Sequence, residues 1–170
     1  MQQNYEGEWT ILPMRKVAGT THPVMMIYAD PQATQFEDAP ALARAPYLRE
    51  VLSRFQCPLQ TARLMRLAPG SVIREHRDHD LAPEYGAARI HIPITTNDDV
   101  EFLLNGRRVV MEVGSAWYLR LSDPHSVANR GATDRIHLVV DCLVDDWLLE
   151  LLGAAAQTRQ PSSAIAGSTG

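Results

Sequence analysis

Residues 100–111 read Val-Glu-Phe-Leu-Leu-Asn-Gly-Arg-Arg-Val-Val-Met. Two apolar runs, Val100 to Leu104 and Arg107 to Met111, flank Asn105-Gly106. An Asn-Gly pair suits the two-residue turn whose central positions both take positive φ, so the stretch predicts a tight β-hairpin. Outward from it, Arg89 to Ile94, Ser115 to Leu121 and Arg135 to Asp141 are rich in β-branched or aromatic residues, and Thr61 to Leu67 alternates until Ala68-Pro69-Gly70 breaks it. Six or more short strands at close spacing predict a mainly β fold, a double-stranded β-helix or jelly-roll barrel. No strand–helix alternation is visible, which excludes a parallel nucleotide-binding sheet. Two flanking helices are expected. One starts at Pro46 and carries Leu48, Val51, Leu52 and Phe55 on one stripe; the other covers Asp146 to Leu152 and stops at Gly153.

The 170 residues, 45% hydrophobic and 21% charged, are enough for one globular domain. That domain is expected over 1–153. Residues 154–170, small, polar and nearly uncharged, are expected to form a disordered tail. A net charge of −4 with dispersed basic residues excludes a nucleic-acid surface. No apolar run is long enough for a membrane span, and the first twenty residues lack the order of a secretion signal, so a cytoplasmic location is expected. Cys57 and Cys142, far apart and outside any CxxC pair, are expected as reduced, buried thiols.

Chemistry concentrates in the histidines His22, His76, His79, His91, His125 and His137. His76-Arg77-Asp78 sets an imidazole and a carboxylate two residues apart, on one side of an extended chain. With His125, placed at a barrel rim by the Asp123-Pro124 turn before it and the strand after it, they make a two-histidine, one-carboxylate set that suits Fe(II) and leaves coordination positions open. Arg135 opens an otherwise apolar strand, where a guanidinium is out of place unless it meets an anion. A ferrous ion with one aspartate, a bound 2-oxoglutarate dianion and one guanidinium together sum to neutrality, the state a dry cavity prefers.

The stretches RLMRLAPGSVIREHRD, RIHIPITTN, the NG hairpin with VVMEVGSAWYL, and DPHSVANRGATDRIHLVVD occur in the order found in the aspartyl/asparaginyl β-hydroxylase family of Fe(II)/2-oxoglutarate-dependent dioxygenases. Over residues of about 61 to 148 the chain resembles that family. The resemblance implies a jelly-roll, cupin-like barrel that uses Fe(II), 2-oxoglutarate and O₂ to hydroxylate an amino acid, free or within a peptide or derived metabolite. It implies that His76, Asp78 and His125 hold iron and that Arg135 binds the distal carboxylate of 2-oxoglutarate. Arg89 and His91 would lie near the other end of the co-substrate, with His91 reaching its iron-bound carboxylate. Mammalian-type relatives have glycine where this chain has Asp78, and a substrate-binding arginine where it has Ala87. The chain is also expected to lack the helical C-terminal part of the proline hydroxylases, so neither relative's substrate is carried over.

Other readings stay open at this point. Arg89 suits a structural salt bridge as well as a ligand. His137 and Asp141 share the parity of Arg135, so they either orient it or form a separate buried polar pair. His79 reads as a solvated loop residue, and Trp117 and Tyr118 as packing. Arg74, Arg77 and Arg120 flank the expected mouth. A non-oxygenase cupin-like metal-binding barrel would use the same three ligands but have no need of Arg135. The partner is expected to be a small molecule or peptide; oligomeric state is not legible.

Overall fold

The computed structural model describes residues 4–27, 30 and 32–158. Among these, the strands are β1 (Tyr5–Glu6), β2 (Trp9–Val17), β3 (Phe36–Asp38), β4 (Leu59–Leu67), β5 (Val72–His76), β6 (Ala87–Thr95), β7 (Val100–Leu104), β8 (Arg107–Val109), β9 (Trp117–Tyr118), β10 (His125–Asn129) and β11 (Arg135–Leu143). The helices are α1 (Pro23–Ile27), α2 (Pro46–Ser53) and α3 (Asp146–Thr158), with short 3-10 turns at Pro40–Arg44 and Pro83–Tyr85. The strands form a five-stranded sheet in the order β1-β5-β10-β7-β8 and a six-stranded sheet in the order β3-β2-β4-β11-β6-β9. All pairings are antiparallel, which gives the expected jelly roll.

The two-residue period of a strand explains how the six-stranded sheet serves two purposes. On β11, Leu138, Val140 and Cys142 point to one face, where they pack with Ala62, Ile90, Leu42, Leu52 and Leu148. This is the face that α2 and α3 cover. Arg135, His137, Val139 and Asp141 have the other parity and face the second sheet. β11 lies between β4 and β6, so its burial is near complete on both faces. Leu67, Ile73, Phe102, Leu119, Leu121 and Val127 form a second apolar cluster between the sheets.

Local expectations are met where backbone chemistry dictates them. Asn105 and Gly106 have φ of 51° and 71°, and β7 pairs with β8 across them. α2 starts at Pro46, and Leu48, Val51 and Phe55 pack with buried Leu52 against the core. Cys57 and Cys142 are free and buried.

Three expectations are corrected. The last helix runs through Gly153 to Thr158. Glycine costs about 1 kcal/mol in a helix, and Ala154 to Ala156, the strongest helix formers, follow it. The tail expected from residue 154 is therefore helical to 158, and 159–170 lie outside the described residues. The strand expected over Ser115 to Leu121 shrinks to Trp117–Tyr118, and β8 ends at Val109, because Gly114 (φ 79°) and a Ser115 N–H donating to the Glu112 carbonyl turn the chain between them. Asp78 does not share an extended strand with His76: β5 ends at His76, and the Asp78 amide donates to the Leu121 carbonyl across a loop.

Candidate active site

His76, the last residue of β5, lies opposite His125, the first of β10, and the rings are 4.2 Å apart between centroids. Each ring has its Nδ1 at a backbone carbonyl, Arg74 O at 2.8 Å and Asp123 O at 2.9 Å. An Nδ1–H donating there leaves Nε2 as a free lone pair, the orienting arrangement seen around ligating histidines. Both Nε2 atoms turn toward Asp78, at 3.9 Å from its Oδ1 and Oδ2 respectively. One donor atom from each of the three residues falls within a group no wider than 4.8 Å. His76 and Asp78 stay about a quarter exposed (27% and 28%), while His125 is at 5%. The site is thus open on one side. Phe102 stacks parallel on the His125 ring at 6.1 Å, and burial keeps that imidazole below its ordinary pKa. The donor set and its free lone pairs fit a divalent metal ion.

The triad stands at the edge of a cavity of about 500 Å³ between the sheets. Arg89, His91 and Arg135 line it too, so all six residues singled out in the sequence border one space. Apolar side chains, among them Trp9, Ile11 and Met65, line it as well.

Two buried networks feed this cavity. In the first, Asp141 accepts from Arg89 Nε at 2.6 Å, from Arg89 Nη2 at 3.0 Å, from Thr61 Oγ1 at 2.9 Å and from Arg63 Nη2. Arg89 also donates through Nη1 to Asp78 Oδ2 at 2.9 Å, which ties the triad's carboxylate to the sheet. Burial pushes the Asp141 carboxyl up, but Arg89 and Arg63 outweigh it and bring its pKa down to about 2. Burial, joined by the charge of Arg89, lowers the Arg63 guanidinium to about 10 against the pull of Asp141.

In the second network, Arg135 Nη2 donates to His137 Nδ1 at 3.0 Å, and that same Nδ1 lies 3.4 Å from His91 Nδ1. No carboxylate among the described residues pairs with Arg135. Its side chain is buried, its Nε has no partner, and burial takes its pKa down to about 10. A buried guanidinium without a counter-ion is costly, and an anion at this end of the cavity would offset that cost.

The alternatives left open by the sequence separate here. Arg89 makes salt bridges while lining the cavity. His137 bonds to Arg135, and Asp141 belongs to the other network. Among the mouth arginines, Arg74 pairs with Glu6, Arg120 with Glu84, and Arg77 donates to the Ser122 carbonyl. Arg63 was missed, although an arginine inside the alternating β4 is the same anomaly that drew attention to Arg135. Trp9 and Ile11 were missed because Pro13, Arg15 and Lys16 obscure β2, whose register with β4 slips between Pro13 and Arg15.

Two antiparallel sheets around a cavity with a two-histidine, one-carboxylate cluster at its edge define a jelly-roll protein with a candidate metal site. The profile of the Aspartyl/Asparaginyl beta-hydroxylase family matches residues 2–144, and the chain belongs to that family. It is 27% identical over 142 residues to an L-proline cis-4-hydroxylase of Rhizobium meliloti (strain 1021), covering 79% of this chain and 48% of that protein. The chain thus spans about half the length of this curated relative. Similar solved structures include a predicted oxalate decarboxylase from Thermotoga maritima (24% identity, 56% of this chain and 74% of that chain, TM-score 0.40). A Cupin 2 conserved barrel domain protein from Salinispora arenicola CNS-205 is also similar (20% identity, 60% and 76%, TM-score 0.39). No helix among the described residues is long and apolar enough to cross a membrane.

Proposed function

We propose that the chain is an Fe(II)/2-oxoglutarate-dependent dioxygenase that hydroxylates an unactivated C–H bond of an amino acid, free or within a peptide or amino-acid-derived metabolite. The observation that carries this reading is one cavity with a candidate metal triad at its edge and an arginine lacking any counter-ion on its wall. His76 and His125 would ligate through Nε2 and Asp78 through its carboxylate, held by Arg89. Arg135 would pair with the distal carboxylate of 2-oxoglutarate and so satisfy its own buried donors. Bound together with O₂, iron and 2-oxoglutarate supply the oxidising power for C–H hydroxylation, with release of succinate and CO₂. The chain's residues fix the ligands, clamp the co-substrate and hold one C–H bond in reach.

Charge supports an amino-acid substrate. Among the described residues, the acids that pair with Arg63, Arg89 and Arg135 are Asp78 and Asp141, one positive charge in excess. A divalent cation and a dicarboxylate cancel each other, which leaves that excess for a carboxylate of the substrate. Arg63, whose Nε is buried without a partner on the cavity wall, is available to it. Membership of a hydroxylase family and similarity to a proline hydroxylase point the same way.

The test is a screen of free amino acids and short peptides for substrate-stimulated succinate formation from 2-oxoglutarate. It should be preceded by an anaerobic titration of the Fe(II)-loaded protein with 2-oxoglutarate, read by the weak visible charge-transfer band of the chelate. Stoichiometric iron with no such band would sink the oxygenase reading and leave a cupin-like metal-binding barrel.

A further inference from the structure

Trp9 on β2 lines the cavity, and Tyr5 meets its ring edge-on at 5.4 Å between centroids. Its Nε1 is buried and has no partner among the described residues. An indole N–H can only donate, and a buried donor without an acceptor has lost the hydrogen bond it made to water. Trp117 shows the satisfied case, its Nε1 donating to Ser115 Oγ at 2.6 Å.

Strand register tells which part of the cavity this donor serves. Trp9 pairs with Leu67 of β4, and Leu67 pairs with Arg135 of β11, so the three stand in one row across the wall. Neighbouring strands lie about 4.8 Å apart, which sets the Trp9 and Arg135 backbones roughly 10 Å from each other. Both side chains line the cavity. Leu67 between them brings no acceptor: its side chain is apolar and fully buried, and its carbonyl accepts from Asn129 Nδ2 at 2.9 Å. Arg63 stands opposite Pro13 and Val139, about 13 Å further along the strands at about 3.3 Å per residue. Its spare Nε therefore belongs to another part of the cavity. In the row of Trp9, the buried donors without acceptors are Trp9 Nε1 and Arg135 Nε.

We propose that Trp9 is a second binding residue for the distal carboxylate of the co-substrate, its indole N–H donating to one oxygen while Arg135 pairs with the other. A carboxylate carries lone pairs on both oxygens, so it accepts from both donors at once. Arg135 supplies the charge and Trp9 the direction. A 2-oxo acid that ends in a methyl group leaves the indole N–H as unsatisfied as before, so Trp9 adds to selection for a dicarboxylate. The identity of the ligand rests on the functional reading above; the unpartnered donor and its row with Arg135 do not.

The chain has three tryptophans, so the ¹H–¹⁵N spectrum of the full chain with ¹⁵N-labelled indoles, loaded with Zn(II), holds three side-chain N–H signals. The signal lost in Trp9→Phe is that of Trp9; if this variant does not fold, Trp117→Phe and Trp147→Phe assign it by elimination. Calorimetry on the same protein follows the binding of 2-oxoglutarate. Saturating 2-oxoglutarate should move the Trp9 proton downfield, the mark of a new hydrogen bond to a carboxylate, whereas 2-oxopentanoate, the same chain ending in methyl, should leave it in place. Trp9→Phe should raise the 2-oxoglutarate Kd about tenfold or more, the contribution of a hydrogen bond to a charged group, with Zn(II) affinity unchanged. Binding of 2-oxoglutarate with an unmoved Trp9 proton, an equal shift with 2-oxopentanoate, or an unchanged Kd in folded Trp9→Phe each overturns the role of Trp9 and leaves the functional reading standing. Absence of saturable 2-oxoglutarate binding overturns the functional reading, and the role of Trp9 with it.

Discussion

Two groups of buried charge share one cavity and differ in how they are satisfied. Around Asp141, Arg63 and Arg89 share a carboxylate that also accepts from Thr61, and Arg89 reaches on to Asp78. Around Arg135 there is a neutral histidine and, among the described residues, no acid, and both Arg135 Nε and His91 Nε2 are left without partners there. Burying a charge costs several kcal/mol unless it is paired. The first group pairs its charges within the chain, with one Arg63 N–H left over, and holds the sheet and the Asp78 carboxylate in place. The second is incomplete, and what it lacks has the chemistry of a ligand. On the proposed function, the difference separates scaffold from binding slot inside one wall of one barrel.

The contrast can be broken most severely at Asp141. Asp141→Asn leaves two buried guanidiniums competing for a neutral amide and is expected to cost about 3–5 kcal/mol of stability, read by urea unfolding. The same experiment on Arg135→Met should show no loss, because no acid is orphaned. Its effect falls on ligand binding, with 2-oxoglutarate affinity reduced about a hundredfold or more, the consequence of removing one member of a buried charge pair. A large stability loss in Arg135→Met with unchanged 2-oxoglutarate affinity would erase the distinction.

A smaller and graded effect is expected in acid. The Asp141 pKa in the folded chain, about 2, lies below its ordinary 3.8, so the unfolded chain binds the proton more readily in this window. Its stabilisation is complete above roughly pH 4 and drains as the pH falls toward 2. Unfolding free energy measured against pH should lose part of its acid slope in Asp141→Asn. The smallest effect belongs to an exposed pair. Glu6→Gln removes the partner of Arg74 on the barrel's outside, where both side chains are more than half exposed, and should change stability by under about 1 kcal/mol.

Much of the barrel is legible in the amino-acid sequence. The Asn105-Gly106 hairpin follows from the conformations those two residues tolerate, and α2 from Pro46 and its apolar stripe. β11 is legible because the apolar, β-branched run between Arg135 and Asp141 reads as a strand. β2 is not, because a proline at a register slip and two basic residues hide its period, and the strand is stabilised by its neighbours rather than by its own composition. The reach of α3 past Gly153 was also hidden: one glycine was read as a cap, and the three alanines beyond it outweigh its cost.

The order of residues by itself put Arg135, His137 and Asp141 on one face of β11, since they share a parity. It also marked His76, Asp78, His125 and Arg135 as a set by their chemistry. Only the folded chain decided which charges meet. Asp141 sits directly across from Arg89 on β6, while Arg135 lies six residues up the same strand, roughly 20 Å away at about 3.3 Å per residue. Parity could not show that distance would keep this acid from that arginine. Pairing is set by the register between strands far apart in sequence, and that register left Arg135 without a carboxylate partner among the described residues.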